Sequence, residues 1–443
     1  MKKRTRRQQA ILRRNIFLTC CALVLVGVIA LTTFAIKSIS NLVNGGNDNS
    51  SIISSSQSES TDKTPETKPD SFATVLSIGD IMMHQPQLEG GASTEGYDFS
   101  YFFTEVSPYF EKADLTIGNL ELTFGGTESG SYKGYPSFNT PDILADNMKD
   151  AGINMLMTAN NHSYDTGFFG LKRTAQVLSQ KGLEYTGTKA TLDEPTYVVK
   201  DVNGIKIGIA NFTYETQGND PERKYLNGIQ MSKEANDYIN SFTYQNLDRF
   251  YSNAKEIING MKQDGAEYIT FYMHWGEEYQ LKANTWQKSM AQQLSNMGVN
   301  MIIGGHPHVV QPVEVIHSED SQNTTICIYS LGNAVSNQRR ELISSARKGH
   351  TEDGVMFSYT LKKSGEDNSV SLYEVDLIPT WVNKYLDSGF KYTIYPIESI
   401  KTATEKYPKL ASKLAESYNR TKATVGEGLT ECQTDLKCKL TFE

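Results

Sequence analysis

The stretch Gly305-His306-Pro307-His308 closes the apolar run Asn300-Met301-Ile302-Ile303, and this placement constrains the fold more than any other feature of the chain. Two imidazoles at the end of a buried strand are costly to carry without a use. On an extended backbone, residues two apart face one side, so the pattern predicts that both rings reach one metal site. Gly305 is expected to permit a sharp exit from the strand, and Pro307 to fix the backbone between the rings. Four further apolar runs end in the same manner. Residues 73–78 stop at Gly79-Asp80, and 114–117 at Gly118-Asn119-Leu120-Glu121. Residues 153–157 precede Asn160-Asn161-His162, and 268–273 lead into His274-Trp275-Gly276.

Helical patterns separate these runs at 101–112, 142–151, 167–180 and 246–261, and again along Trp286, Met290, Leu294 and Met297. Segments 196–201 and 205–211 flank Asn203-Gly204, a strong hairpin signal. Strands recur at 325–329, 355–361 and 370–377, and 401–419 reads as a surface helix. Strands alternating with helices predict a layered α/β domain with some antiparallel pairing. In such sheets ligands gather beyond the carboxyl ends of the strands.

The N-terminus predicts a membrane anchor. Residues 1–15 carry seven cations and no acid, and 16–36 run without charge for long enough to cross a bilayer as a helix. The basic flank predicts a single pass with a cytoplasmic N-terminus and the main domain outside the cell. A cleaved signal peptide is the competing reading, with Ser38-Ile39-Ser40 as a weak exit site. Cys20 and Cys21 read as membrane-helix cysteines. Segment 37–71, rich in Ser, Asn, Thr and Asp, reads as a flexible linker. The main domain then spans 72–345, late strands at 346–400 complete it, and 401–443 form a C-terminal helix and tail. The net charge is −8; without the seven N-terminal cations, residues 37–443 carry 36 basic and 51 acidic groups, or −15. So acidic an exterior excludes nucleic acid as a partner. Cys327 reads as a buried thiol. Cys432 and Cys438 could pair after export, but three cysteines outside the anchor exclude a disulfide-built fold.

Carboxylate, amide and imidazole donors together suit zinc, manganese or iron. Five strand ends offer more than one tetrahedral structural zinc needs. A pair of divalent ions about 3.5–4 Å apart, sharing a bridging carboxylate, fits better and is the usual clamp for phosphoryl displacement. Taken singly, each residue has a plainer reading. Asp80 could be a helix N-cap, Glu121 a solvated acid, Asn161 a turn residue, and His162 or His274 a packed histidine. Jointly these readings weaken, because four of the seven histidines fall at strand ends beside Gly or Asn. His162 is assigned to stabilising charge or protonating a leaving oxygen, with Asp165 orienting its ring. Asn119, Glu278 and Asn333 are assigned to substrate or to supporting contacts. His84 could face the site or solvent; His317 and His350 belong to polar loops. Residues 135–139 form either a lid or a plain loop. No Gly-rich phosphate loop is present, and Ser330 lacks a nucleophile-elbow context.

In order and spacing, six stretches resemble the poly-γ-glutamate capsule biosynthesis family of CapA-type proteins: Ser77-Ile78-Gly79-Asp80-Ile81-Met82, residues 113–121, residues 158–167, Met273-His274-Trp275-Gly276-Glu277-Glu278-Tyr279, residues 304–312, and Tyr329-Ser330-Leu331-Gly332-Asn333. That family in turn is similar to calcineurin-like metallophosphoesterases. The resemblance implies a four-layer sandwich of two mixed β-sheets flanked by helices, preceded by the transmembrane helix. It implies Asp80, Glu121, Asn161, His274, His306 and His308 as ligands of two divalent ions (Mn, Zn or Fe), and His162 as the acid. Two positions depart from the metallophosphoesterase pattern: Met82 stands where a His is usual, and the segment from Asn119 to Glu121 replaces the usual Asp, leaving open which residue bridges. The expected function is a membrane-anchored, extracytoplasmic hydrolase-like protein of poly-γ-glutamate or related polymer synthesis or export. The alternative is a non-catalytic polymer-binding subunit of a membrane synthase complex. Expected partners are the membrane, an anionic cell-surface polymer or its precursor, and synthase or export subunits.

Overall fold

A computed structural model describes residues 68–440 apart from residue 347. The basic segment 1–15, the membrane helix 16–36 and nearly all of the linker 37–71 lie outside the described residues. Among the described residues no helix is long and apolar enough to cross a membrane.

The first half alternates β1 (Ser71–Ile81), β2 (Leu115–Leu120), α1 (Ile143–Asp150), β3 (Met155–Met157), α2 (Gly167–Lys181) and β4 (Glu184–Thr186). These four strands pair in parallel, in that order. The chain then makes a hairpin of β5 (Val198–Val202) and β6 (Ile205–Tyr214), turning on Asn203 at φ +54° and Gly204 at φ +82°. Both turn residues need left-handed backbone, which is why the Asn-Gly pair marks this turn. There follow α3 (Leu247–Gln263), β7 (Tyr268–His274), α4 (Thr285–Asn296) and β8 (Met301–Gly305), with β6, β7 and β8 parallel. Side chains of Asn246 and Asn284 cap the N-termini of α3 and α4. Next come β9 (Val313–His317), β10 (Thr324–Ile328) and β11 (Asn333–Val335), then the antiparallel β12 (Asp353–Lys363), β13 (Val370–Leu386) and β14 (Phe390–Pro396). Helices α5 (Ile400–Lys406) and α6 (Ala411–Leu436) close the chain.

Among the described residues two mixed sheets form. One runs β14-β13-β12-β1-β2-β3-β4, with β11 also beside β1; the other contains β6-β7-β8-β10-β9, with β5 beside β6. Alternate side chains of the two sheets meet in one core: Val75, Ile117 and Met155 from the first, Ile207, Ile209 and Ile303 from the second. The opposite faces carry helices. Leu76 and Ile78 pack with Leu144 of α1 and Leu178 of α2; Phe271 and Ile302 pack with Ile257 of α3 and Leu294 of α4. The order of layers is therefore helix, sheet, sheet, helix, each sheet burying both faces.

Three local expectations differ. Segment 101–112 is no continuous helix but a 3-10 turn (Ser100–Phe102) and one α-turn (Ser107–Phe110). Pro108 lacks the N–H that a helix running through it would use. Strand β6 runs on to Tyr214, three residues past its expected end. Segment 401–419 is not one surface helix: it holds α5 and the start of α6, whose Leu414 and Tyr418 are buried, and α6 runs on for 26 residues in all and sends Val425, Leu429 and Cys432 into the core between the sheets. Cys327, Cys432 and Cys438 are all buried and free, and the Cys438 Sγ lies 3.3 Å from the Cys432 carbonyl oxygen.

The strand-end glycines serve close backbone approach. A Cβ on Gly79 would lie 1.9 Å from the Gly332 carbonyl oxygen, and one on Gly304 would lie 1.9 Å from that of Tyr329. The two sheets thus present the ends of β1, β2, β7 and β8 to one place.

Candidate metal centre

Asp80 sits at the end of β1, in register with Asn119 on β2 and Asn333 on β11. Its Oδ1 accepts from the Asn119 amide at 2.7 Å, and its Oδ2 accepts from the backbone N–H of His306 at 3.2 Å and lies 3.2 Å from His308 Nδ1. Glu121, just past β2, is fully buried. Its Oε1 lies 3.5 Å from His274 Nε2 and 3.7 Å from His308 Nε2. His274 Nε2 also meets Asn161 Oδ1 at 2.8 Å. The rings of His274 and His306 are 4.9 Å apart, and those of His306 and His308 are 5.8 Å apart. Asp80, Glu121, Asn161, His274, His306 and His308 therefore converge.

The convergence of the last two rings is not reached as the sequence suggested. Strand β8 ends at Gly305, and the sharp turn falls on His306 (φ +94°) and His308 (φ +55°) rather than on the glycine. Few non-glycine residues carry such angles, and His306 at φ +94° lies outside the usual left-handed helical region. Gly305 is needed for space instead, because a Cβ there would lie 2.8 Å from Asp80 Oδ1.

The site's electrostatics call for cations. Neither carboxylate oxygen of Glu121 has a hydrogen-bond partner, nor does His306 Nδ1. A bare buried carboxylate is unfavourable by several kcal/mol unless a cation meets it, so these atoms fit a metal. Two sets of donor atoms lie within 4.8 Å of one another: Glu121 with His274 and His306, and Asp80 with Glu121 and His308. Glu121 is the shared member, whereas the Asn119 amide is committed to Asp80. Burial, with His274 and His308 nearby, pushes His306 well below the ordinary imidazole range, which keeps it neutral and able to ligate. Burial works against charge on His308, but the carboxylates of Glu121 and Asp80 outweigh it and raise the ring to about 9. Burial likewise opposes charge on Asp80, yet contacts with His308, His274 and Asn119 hold its carboxyl below the usual range.

His162 follows Asn161 in the turn after β3. Its Nδ1 is 2.7 Å from Asp165 Oδ2, which also accepts the Phe138 N–H at 2.6 Å. The Phe138 ring packs on the imidazole at 4.6 Å. Segment 135–139 is therefore tied to His162 and Asp165, while Tyr135 stays 68% exposed. Burial raises Asp165, against the pull of its bond to His162. Asn333 is buried and supports His308: its Oδ1 lies 3.1 Å from Nδ1, and its amide donates to the carbonyls of His308 and Thr351 and to Gln338 Oε1. Glu278 is exposed at the mouth, where its charge reaches His308 and Tyr214. The His84 ring meets Gln87 Oε1 and the Asn337 N–H, each at 3.3 Å, and burial pushes it down to about 3.

Tyr214 escaped the sequence reading. Its ring lies 4.7 Å from that of His306 and is parallel to that of His274 at 6.5 Å. The signal was a sixth strand end, hidden because β6 continues through Phe212-Thr213-Tyr214 without a glycine to mark its stop.

The sequence agrees with a single class of protein. The profile of the family described as "Bacterial capsule synthesis protein PGA_cap" matches residues 74–338, and the chain belongs to that family. Among its relatives, "Capsule biosynthesis protein CapA" of Bacillus anthracis is 28% identical over 353 residues, covering 78% of this chain and 78% of that protein. "PGA biosynthesis protein CapA" of Bacillus subtilis (strain 168) is 28% identical over 315 residues, covering 68% and 72%. Similar solved structures include one described as a novel phosphatase from Mycoplasma pneumoniae (14% identity, TM-score 0.38, covering 70% of this chain and 93% of that one). Another is a protein of Thermus thermophilus described as TT1561 (8% identity, TM-score 0.32, covering 68% and 97%). At such scores neither structure bears on what this chain does.

Proposed function

We propose that this chain is a membrane-anchored, extracytoplasmic metal-dependent hydrolase of the metallophosphoesterase kind, acting in the synthesis, export or attachment of poly-γ-glutamate or a related anionic cell-surface polymer. The observation that carries the reading is Glu121: a buried carboxylate with both oxygens unsatisfied, shared by two triads of ligand-type atoms. Asp80, Glu121 and His308 would hold one divalent ion, and Glu121, His274 and His306 a second, with Asn161 beside His274. Zinc, manganese or iron bound there supplies Lewis acidity toward a phosphoryl or carbonyl oxygen. Asp165 holds the His162 ring through Nδ1, leaving Nε2 free toward the substrate, where the protonated ring would give a proton to a leaving group and become the neutral imidazole. Phe138 packs on that ring and limits its access to water. Asn333 fixes His308, and Asn119 fixes Asp80.

A second reading, polymer binding without turnover inside a synthase complex, is favoured by Met82, which stands where metallophosphoesterases carry a His, and by the Asn119 to Glu121 segment, which replaces their usual Asp. One experiment separates the two. The purified full chain, loaded with manganese or zinc, is offered phosphodiesters and poly-γ-glutamate. Hydrolysis that disappears in His162→Ala supports the enzyme; polymer binding with no hydrolysis in the unmodified chain supports the binding subunit.

A further inference from the structure

One residue beyond Tyr214 the chain enters a second cleft, of about 490 Å³, between the short strand Ser241–Phe242 and the start of α3. Lys189, Lys224 and Arg249 line it. Among the described residues no carboxylate oxygen lies within ion-pair distance of any of the three. Lys224 is set into the wall, and its ammonium donates to the Ile239 carbonyl at 3.0 Å. Beneath the cleft lie the buried side chains of Ile239, Phe242 and Phe250, which lower the local dielectric and strengthen any charge pairing. The acids are placed differently: Glu215 is held by the Ser241 hydroxyl at 2.8 Å, and Asp237 and Glu256 are exposed. Burial pushes the Lys224 ammonium down to about 8; the Glu215 and Asp237 charges oppose this, and the Arg249 charge adds to it. The Glu215 and Asp237 charges reach Lys224 only from a distance, its close partner is a backbone carbonyl, and the Arg249 charge acts on it too, so an incoming carboxylate can pair directly with both cations.

We propose that this cleft is a carboxylate-binding subsite, in which Lys224 and Arg249 hold a glutamyl unit of the polymer whose chain passes the metal centre. The proposal rests on the polymer reading above. The lining selects a glutamyl chain over a polyphosphate. Glu215, Asp237 and Glu256 can accept amide N–H groups, which a glutamyl unit carries and a phosphate chain lacks, and they repel a uniformly anionic backbone. The metal centre, lined by acids and imidazoles, provides no such cation pair.

The test is protection of Lys224 from an amine-acylating reagent at pH 8, read by mass spectrometry on the full chain. Poly-γ-glutamate is expected to slow modification of Lys224 about tenfold or more, an effect that high salt abolishes. The same protection is expected in the His306→Ala, His308→Ala double variant, whose metal site is disabled. Arg249→Gln should weaken polymer binding, with metal content unchanged. Polymer bound to the chain while Lys224 is modified at its unprotected rate would overturn the subsite and leave the polymer reading standing. Protection by polyphosphate but not by poly-γ-glutamate would overturn the carboxylate assignment. No binding of either polymer would overturn subsite and polymer reading together, whatever the metal content.

Discussion

His162 and Asp165 show how a single contact sets a residue's role. The bond from Nδ1 to the Asp165 carboxylate fixes both ring orientation and tautomer, and burial leaves the carboxyl few other partners. Asp165→Asn should therefore lower turnover about 100-fold with bound metal unchanged, measured as kcat/KM beside metal content. His84 supports a prediction on pH. Its folded-state value, about 3, lies below the ordinary 6.5, so the stability it contributes is present above pH 6.5 and is lost as pH falls toward 3. His84→Asn should flatten that part of the acid-unfolding profile, measured by denaturant titration across this range. At this scale much was legible in the sequence, because a run of apolar residues ending in Asp, Asn or His states both burial and exit. The left-handed backbone at His306 and His308 was not legible: at this turn Asp80 accepts the His306 N–H, a contact between residues 226 positions apart that no local pattern announces. Asn333 likewise could be placed near the site but not given its task, since its contacts come from three separate stretches of chain.

Among the elements, α6 was the one least visible from its own residues. Its buried face is assembled from Leu414, Tyr418, Val425, Leu429 and Cys432, and only the first two fall within 401–419, the segment that reads as a surface helix. What it covers decides its burial. Gly428 lies so close to β9 that an added Cβ would sit 1.9 Å from the Val313 carbonyl oxygen. Gly428→Ala should destabilise the chain by about 1–3 kcal/mol, read as a lower urea midpoint with an unchanged slope. The strands feeding the site were legible because each is apolar throughout and stops at a ligand-type residue. Short strands such as β4 and β11, with three residues each, carry too few positions for a period to show. Strand β6 was cut short at Asn211 for a related reason: that side chain is buried, and a polar residue there reads as an end.

For the whole molecule, two sheets packed face to face bring side chains from distant stretches of sequence into one cage. Residues 80, 121, 161, 274, 306 and 308 come from both sheets, so the site exists only when the sheets have docked. This explains why the donor types were legible one by one while the sharing of Glu121 was not. Sequence offered both Asn119 and Glu121 as the bridge, and only the register of β2 against β1 separates them: it sets the Asn119 amide on Asp80 and leaves Glu121 between the two groups of imidazoles. The measurement that bears most directly on this arrangement is metal stoichiometry by mass spectrometry of the purified full chain and of Glu121→Ala. The unmodified chain should carry two divalent ions, and Glu121→Ala should lose both, because each group depends on that carboxylate. Two ions retained by Glu121→Ala would contradict the shared centre.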